Sequence, residues 1–412
     1  MTHVAFRTLR DLDVRGKRVI VREDLNVPMK DGAVGDPTRI IAAGDTLRYL
    51  HDGGARTIVL SHLGRPDGKR DASLTLRPIA TELSRRLGLP VAFAADCVGP
   101  VAAVATEAMR DGDIVLLENV RFHPEEEAND PAFAQSLAAL GDLYVNDAFG
   151  TAHRAHASTE GIARYVPAAA GFLMESELRA LGELTLHPRK PFVCAIGGAK
   201  VKDKVGVFTH LIERVDAFVI GGGMANTFLA AQNMNVGTSL RDADLEPARA
   251  ILDLALRKNV DFELPTDAVV STAFDADANA KTVTLSDIDD GMILDIGPQT
   301  AQRYAATLRT AKTIVFNGPM GVYERVPYRA GTRRIGEAIA AATQAGATSV
   351  VGGGDAAAAA HELGFAAAMT HVSTGGGATL EYLEGKTLPG VAALVESAFA
   401  RERTASQTTA QA

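Results

Sequence analysis

The chain contains no tryptophan and only two cysteines, Cys97 and Cys194, among its 412 residues. The missing tryptophan says little about function. The cysteines stand far apart and form no metal-ligand spacing, so a reduced cytosolic protein is the simplest expectation. Cys194 lies in an apolar run and reads as a small buried residue rather than a reactive thiol. No uncharged run is long enough to span a bilayer. Residues 1–16 carry Arg7, Arg10, Asp11, Asp13 and Arg15 with no apolar core, which excludes a secretory signal. Net positive charge is lacking too. The formal charge of −8 argues against a broad nucleic-acid or anionic-membrane surface and leaves any positive site local. There is no G-x-x-x-x-G-K-S/T phosphate loop and no protein-kinase glycine-loop, HRD and DFG set. A nicotinamide-dependent dehydrogenase, the alternative enzyme reading, lacks its G-x-G-x-x-G with an acidic residue ~20 positions on.

What is present is a globular composition, 47% hydrophobic with 22% charged residues, in a chain long enough for two large domains. Short apolar runs alternate with alanine-rich helical stretches. They begin at Arg18, Thr57, Ile114 and Leu143 in the first half, and at Phe192, Ala217, Thr313 and Thr348 in the second. Such spacing predicts an α/β fold, with parallel sheets wound by crossover helices and ligands beyond the carboxyl ends of the strands. The boundary falls near Gly171 to Pro191, with residues 172–178 reading as a connecting helix. The polar tail from Arg401 is expected to be disordered.

In the first half, strand ends lead into arginine and histidine. The segments are Asp24-Leu25-Asn26-Val27-Pro28 with Arg39 beyond a turn, Ser61-His62-Leu63-Gly64-Arg65-Pro66, Glu118-Asn119-Val120-Arg121-Phe122, and residues 146–156 with Asp147, His153, Arg154 and His156. One arginine alone reads as a surface ion pair. Four at equivalent strand ends predict a pocket for a small, hydroxylated, multiply anionic metabolite, because guanidinium forks suit phosphate and carboxylate oxygens. Asp24 and Asn26 can accept from a hydroxyl. His62 can donate to a carboxylate, or be structural. His153 and His156 have helical spacing, but Asp147 as the one nearby acid argues against a metal site. The run Glu125-Glu126-Glu127 reads as a solvated face.

In the second half, strand ends lead into glycine. The run from Phe192 to Ile196 enters Gly197-Gly198-Ala199-Lys200-Val201-Lys202-Asp203-Lys204. This reads as a strand, a tight turn and a helix with Lys200 and Lys204 on one face. Like charges there cost ~0.2–0.5 kcal/mol, and cations at a helix N-terminus oppose the macrodipole. The missing partner is a polyanion, or the lysines are simply solvated. Gly221-Gly222-Gly223, Asn317-Gly318-Pro319-Met320-Gly321-Val322-Tyr323-Glu324, Gly352-Gly353-Gly354-Asp355-Ala356 and Gly375-Gly376-Gly377 each follow a strand. Bare glycine backbones at helix starts are suited to anions. Asp355 suits Mg²⁺, which takes one or two carboxylates plus substrate phosphates, or else it is a helix N-cap.

Together these segments resemble phosphoglycerate kinases. The matching stretches are RxDLNVP, SHLGRP, LLENVRF, VNDAFGTAHRAH, GGAKVxDK, IGGGMA, FNGPMGVYE, GGGD and STGGGA, in order from about Arg18 to Pro389. The resemblance implies two Rossmann-like parallel-sheet domains flanking a central cleft and joined by a helix. Residues 1–171 would bind 3-phosphoglycerate or 1,3-bisphosphoglycerate, with 390–402 packing back on them. Residues 172–187 would be the connecting helix, 188–389 would bind ADP or ATP with Mg²⁺, and 403–412 would be the disordered tail.

By position, Asp24, Leu25, Asn26, Arg39, His62, Leu63, Gly64, Arg65, Arg121 and Arg154 would hold the glycerate substrate. Gly198, Lys204, Gly222, Asn317, Pro319, Val322, Glu324, Gly353, Gly354, Asp355 and Ala356 would hold the nucleotide, with Asp355 on the metal. Arg39, Lys200, Gly375 and Gly376 would meet the transferring phosphoryl group. The implied reaction moves the acyl phosphate of 1,3-bisphosphoglycerate to ADP, reversibly, in a cytoplasmic monomer without nucleic-acid or membrane partners. Two positions depart from common patterns of the family. Ala356 stands where many members carry Thr or Ser, and Ile293 where some have glycine near the adenine. A scaffold that kept the fold and lost catalysis is the non-enzymatic alternative, and Lys200, Lys204, Arg39 and Asp355 together argue against it.

Overall fold

The computed structural model describes residues 6–397. The expectations for 398–402 and for the tail 403–412 lie outside the described residues. The chain divides into two compact units. One comprises the residues up to Leu178 together with those from Thr387 onward, and the other is Arg179–Lys386.

The first unit carries strands β1 (Arg18–Arg22), β2 (Met29–Lys30), β3 (Ala33–Val34), β4 (Arg56–Leu60), β5 (Val91–Ala94), β6 (Ile114–Leu117), β7 (Leu143–Asn146) and β8 (Ala168–Ala170). Six of them form one sheet in the order β5-β6-β4-β1-β7-β8, with parallel pairs throughout. In β6, Ile114, Val115, Leu116 and Leu117 are all buried, because crossover helices cover both faces of a parallel sheet. One core packs Leu47, Val59, Leu83 and Leu116, and another packs Leu9, Val19, Leu50 and Val145. The chain returns to this unit near its end, where Gly390 N–H donates to the Ala152 carbonyl at 2.9 Å and Ala168 N–H to Ser397 Oγ at 3.2 Å.

The second unit carries β9 (Phe192–Ile196), β10 (Ala217–Ile220), β11 (Asp261–Glu263), β12 (Asp267–Ser271), β13 (Lys281–Thr284), β14 (Met292–Ile296), β15 (Thr313–Asn317), β16 (Thr348–Val351) and β17 (His371–Val372). Its main sheet runs β11-β10-β9-β15-β16-β17, again all parallel. A second, antiparallel sheet of β13-β12-β14 lies beside it in sequence and was not foreseen from the apolar runs. No helix among the described residues is long and apolar enough to cross a membrane.

The helix Phe172–Leu186 contains the division between the units. Its start is tied to the first unit by buried polar groups. Asp147 Oδ1 accepts from Met174 N–H at 3.0 Å and Thr46 Oγ1 from Phe172 N–H at 3.0 Å. Asp147 therefore works as a cap on orphan amides of the first turn.

Two local expectations are corrected. Lys200 and Lys204 do not share a helix face. Lys200 precedes a short 3₁₀ turn at Lys202–Lys204, and the α-helix begins only at Val205. The cause is Asp242, whose Oδ2 takes the amides of Val201 at 2.8 Å and Lys202 at 3.2 Å. The run 125–127 is solvated at Glu125 and Glu127 but not at Glu126. Glu126 is fully buried and accepts from Ser158 N–H at 2.8 Å and Ser158 Oγ at 2.6 Å, while Glu127 faces Arg121 at 3.1 Å.

Candidate active site, in two halves

In the first unit the four arginine-bearing segments follow β6, β4, β1 and β7, four adjacent strands whose carboxyl ends share one edge of the sheet. Hydrogen bonds stitch these loops together. Ser61 Oγ accepts from Leu25 N–H at 2.9 Å and donates to the Glu23 carbonyl at 2.9 Å. Asn26 Oδ1 accepts from Gly64 N–H at 2.9 Å. Asn119 Nδ2 donates to the Leu63 carbonyl at 2.8 Å, and Arg121 NH1 to the Gly64 carbonyl at 2.9 Å. Arg39, on the short helix Thr38–Ala42, donates NH1 to both oxygens of Asp24 at 2.8 Å and to the Asn26 carbonyl at 3.2 Å.

The charge state of this half follows from burial. Arg121 is only 3% exposed, its NH2 has no hydrogen-bond partner, and burial pulls its guanidinium down to about 10. A desolvated guanidinium with an open nitrogen is costly unless an anion completes it. His62 is also buried. Desolvation, then Arg22, Arg121, Arg39 and Arg154 in turn, hold its imidazole well below the usual range. Its Nδ1 lies 3.2 Å from Arg22 NH2. Arginine only donates, so Nδ1 accepts and Nε2 carries the proton. The ring is thus a neutral donor inside a cationic pocket.

Arg22 is itself buried on β1 and donates Nε to Ser158 Oγ at 2.8 Å. Sequence reasoning had Arg22 only as the arginine of the RxDLNVP stretch and expected no role for it, because its partner Ser158 lies far along the chain. It also missed Glu23, which is buried beside Arg22. Desolvation and then the neighbouring Asp147 push the Glu23 carboxyl well up, and burial lifts Asp147 to about 6.

Not every expected residue contributes in the expected way. Leu25 and Leu63 are buried in the hydrophobic core, so only their backbone can face a ligand. Arg65 is exposed and has no hydrogen bond or ion pair among the described residues. Arg154 is half-buried, with Nε 3.3 Å from His153 Nε2.

In the second unit the glycine loops follow β10, β9, β15, β16 and β17, again adjacent strands sharing one edge. They interlock through backbone. Gly198 N–H donates to the Pro319 carbonyl at 3.2 Å, Gly222 N–H to Met320 at 2.8 Å and Met224 N–H to Gly198 at 3.1 Å. Gly222 has φ +64°, and a Cβ there would lie 2.6 Å from the Gly198 carbonyl oxygen. The close approach requires glycine.

Lys204 spans two of these loops, donating Nζ to the Gly197 carbonyl at 2.8 Å and the Asn317 carbonyl at 2.7 Å. Burial lowers its ammonium to about 8. Asn317 Nδ2 donates to the Gly352 carbonyl at 2.7 Å, while its buried Oδ1 has no partner. Lys200 is exposed and makes no ion pair with a described residue.

The helix Gly354–Glu362 is preceded by Gly353 at φ +96°, with no side-chain cap on its first amides. Asp355 sits in its first turn and is not its N-cap. The Asp355 carboxylate is exposed and makes no hydrogen bond or ion pair with a described residue. A single open carboxylate beside bare amides fits Mg²⁺, which keeps most of its own waters. Ala356 packs into the core, so only its amide can serve a ligand. Gly376 has φ +52° and precedes the helix Gly377–Leu383. Gly375 N–H donates to Ser373 Oγ at 3.1 Å.

A cavity of about 560 Å³ adjoins these loops. Gly198, Gly222, Pro319, Val322, Glu324 and Asp355, all among the residues expected to hold the nucleotide, line it together with Ile293. Strand β14 supplies much of the remaining wall, including Asp295. Asp295 is almost fully buried, accepts from Gly331 N–H at 2.7 Å and Ile296 N–H at 2.9 Å, and is raised by burial to about 8. Sequence reasoning did not single it out, because the antiparallel sheet that delivers it was not foreseen.

A sequence model of one family, Phosphoglycerate kinase, matches residues 9–386. The chain belongs to the phosphoglycerate kinase family. It is 53% identical over 391 residues to the phosphoglycerate kinase of Moorella thermoacetica, covering 94% of this chain and 99% of that one. It is 51% identical over 391 residues to that of Herpetosiphon aurantiacus, covering 94% and 98%. Among solved structures it is similar to phosphoglycerate kinase from Coxiella burnetii, with a TM-score of 0.88, 40% identity, and 95% of this chain and 99% of that one covered. The enzyme from Pyrococcus horikoshii OT3 gives 0.82 at 33% identity, covering 95% and 99%.

Proposed function

We propose that the arginine half binds 3-phosphoglycerate or 1,3-bisphosphoglycerate, that the glycine half binds ADP or ATP, and that phosphate passes between them. The single observation that carries this reading is the pairing of two anion-binding edges in one chain of this family, one lined by buried guanidinium and the other by bare backbone amides.

The reaction joins a β-phosphate oxygen of ADP to the acyl phosphorus of 1,3-bisphosphoglycerate and breaks its bond to the carboxyl oxygen. ATP and 3-phosphoglycerate are the products. Both nucleophiles, the phosphate oxygen and in reverse the carboxylate, are anionic at neutral pH, so no general base is required. Catalysis then rests on in-line positioning and charge neutralisation. Arg121, Arg154 and Arg65 hold the anionic ends of the glycerate, Asp24 and Asn26 its hydroxyl, and His62 donates from Nε2. Arg39, oriented by Asp24, and the unpaired Lys200 meet the phosphoryl group with the amides at Gly375 and Gly376. Lys204 and the amides from Gly353 to Ala356 take nucleotide phosphates.

Asp355 would hold Mg²⁺, which neutralises phosphate charge when bound. The half-sites belong to different units, so transfer requires a hinge motion that brings the substrates together and excludes water, since the activated phosphate would otherwise hydrolyse. Family membership makes cytoplasmic, monomeric action part of the same reading.

The test is ³¹P NMR of the protein with 3-phosphoglycerate and ATP, with and without Mg²⁺. An acyl-phosphate signal with ADP, seen only with Mg²⁺, is the expected result. Ligand-induced shifts for both substrates without turnover would instead leave a binding protein that has lost catalysis.

A further inference from the structure

A third group of reactive side chains stands beside the first half-site, at the ends of β5 and β6. Asp96 and Cys97 follow β5. His123 follows the turn Val120–Phe122 beyond β6, which pairs with β5 in parallel. The sheet therefore brings the two loops side by side at its edge. A carboxylate oxygen of Asp96, the sulfur of Cys97 and a ring nitrogen of His123 all lie within 4.8 Å of one another. The spacing of the cysteines alone gives no hint of this, because the third donor comes from a different strand end.

The group is ordered and reachable. His123 Nε2 and Asp96 Oδ1 are 2.8 Å apart, and the side chains are 27% and 28% exposed. Cys97 is fully buried behind them. Arg70 NH2 holds the other Asp96 oxygen at 3.1 Å and Arg70 NH1 holds the Ala95 carbonyl at 2.9 Å. The His123 ring rests against Phe133 with centroids 5.2 Å apart. Arg70 thus fixes the Asp96 carboxylate and Phe133 the plane of the His123 ring, the kind of outer support that metal ligands use.

We propose that Asp96, Cys97 and His123 form a binding site for a zinc-class divalent cation. One thiolate, one imidazole and one carboxylate supply three ligands, and water completes the tetrahedron. The thiolate and carboxylate together balance the two charges of the ion. Burial, followed by the negative charges of Asp96, Glu126 and Glu118, pushes the Cys97 thiol well up. The same negative surroundings attract a cation. On binding, the S–H bond breaks and a metal–sulfur bond forms, with that proton released to solvent. The imidazole coordinates through Nε2, which faces Asp96, with its N–H proton on Nδ1. No oxidant or reductant takes part. Cys194, buried in the apolar strand β9, has no such neighbours and serves as the internal control.

The test uses the full chain stripped with chelator and titrated with Co²⁺ alone, without nucleotide. The expected result is one equivalent with a sulfur-to-cobalt charge-transfer band and red d–d bands of a tetrahedral ion, both displaced by Zn²⁺. Cys97→Ser abolishes the charge-transfer band and Cys194→Ser leaves it. His123→Ala and Asp96→Asn, at partly exposed positions, weaken affinity by at least ~10-fold. A wild-type protein without the sulfur band, or a band that survives Cys97→Ser, overturns the proposal. Should Cys97→Ser fail to fold, unchanged Co²⁺ affinity in both His123→Ala and Asp96→Asn overturns it equally.

Discussion

The two units offer anions the same place on the same kind of sheet, by different means. The first uses charge carried on side chains and takes it out of water: Arg22 and Arg121 are buried, with Glu126 and Asp24 packed against the cluster. Burying charge is costly unless it is paired, so Ser158 takes Arg22, Glu127 faces Arg121 and Asp24 holds Arg39, with open nitrogens left for a ligand. The second uses backbone amides in loops so close that side chains are excluded, with Lys204 braced on two carbonyls. Its weakness is steric rather than electrostatic. A small, rigid, multiply charged molecule suits the first solution, and a polyphosphate lying along helix starts suits the second.

The sharpest way to break this comparison is at the residues proposed to act on the transferring group. Arg39→Ala and Lys200→Ala should each lower kcat by about 10²–10³-fold, the scale of losing one charge-stabilising donor, with much smaller changes in nucleotide affinity. Steady-state kinetics with both substrates varied checks this, and unchanged turnover removes that residue from the role. Next in size is Gly222→Ala. Its φ of +64° and the Gly198 carbonyl 2.6 Å away leave a methyl group no room. The expected cost is ~1–3 kcal/mol in stability with weakened nucleotide binding, while 3-phosphoglycerate binding stays intact. Thermal melting with calorimetric titration of each ligand separates the two effects. Equal loss of both ligands would mean that the halves are not independent.

The extent to which the site was legible follows the same division. Eight of the parallel strands were visible as short apolar runs, while β5, β8 and β11 were not, and the common polarity of the eight placed Arg121, Asn317 and Asp355 near strand ends. Long-range competition for backbone groups was not visible. Asp242 takes the amides of Val201 and Lys202 and so prevents the helix that the lysine spacing implied. Glu126 looked solvated in an acidic run, yet Ser158, far along the chain, draws it inside. Buried polar residues within strands, such as Arg22 and Asp295, show no role in the sequence because their partners are remote.

A pH experiment sharpens the comparison more gently. Lys204 has its ammonium lowered to about 8 by burial. In the free protein the fold carries that penalty in full below about pH 8, and it fades as pH rises toward the unfolded value of about 10.4. A nucleotide phosphate beside Nζ restores the charged form, so binding should take up a fraction of a proton near pH 8 and affinity should fall as pH rises past it. Titration calorimetry in buffers of different ionisation enthalpy measures this uptake. Glycerate binding, proposed to use neutral His62 and guanidinium groups, should show no matching step there.

The smallest effect belongs to the first unit. Burial, with Asp147 adding to it, holds the Glu23 carboxyl well above its ordinary range, so its ionisation is disfavoured in the fold. A raised folded value means that stability falls as pH rises from the unfolded value through the folded one. Glu23→Gln keeps the shape and removes that charge. Its melting temperature should exceed that of the wild type by about 2–4 °C at pH 8, and the gain should vanish near pH 4, where the wild-type carboxyl is protonated in both states. A variant less stable at every pH would show instead that the Glu23 carboxylate is held by a partner, and that the first unit tolerates buried anions as readily as buried cations.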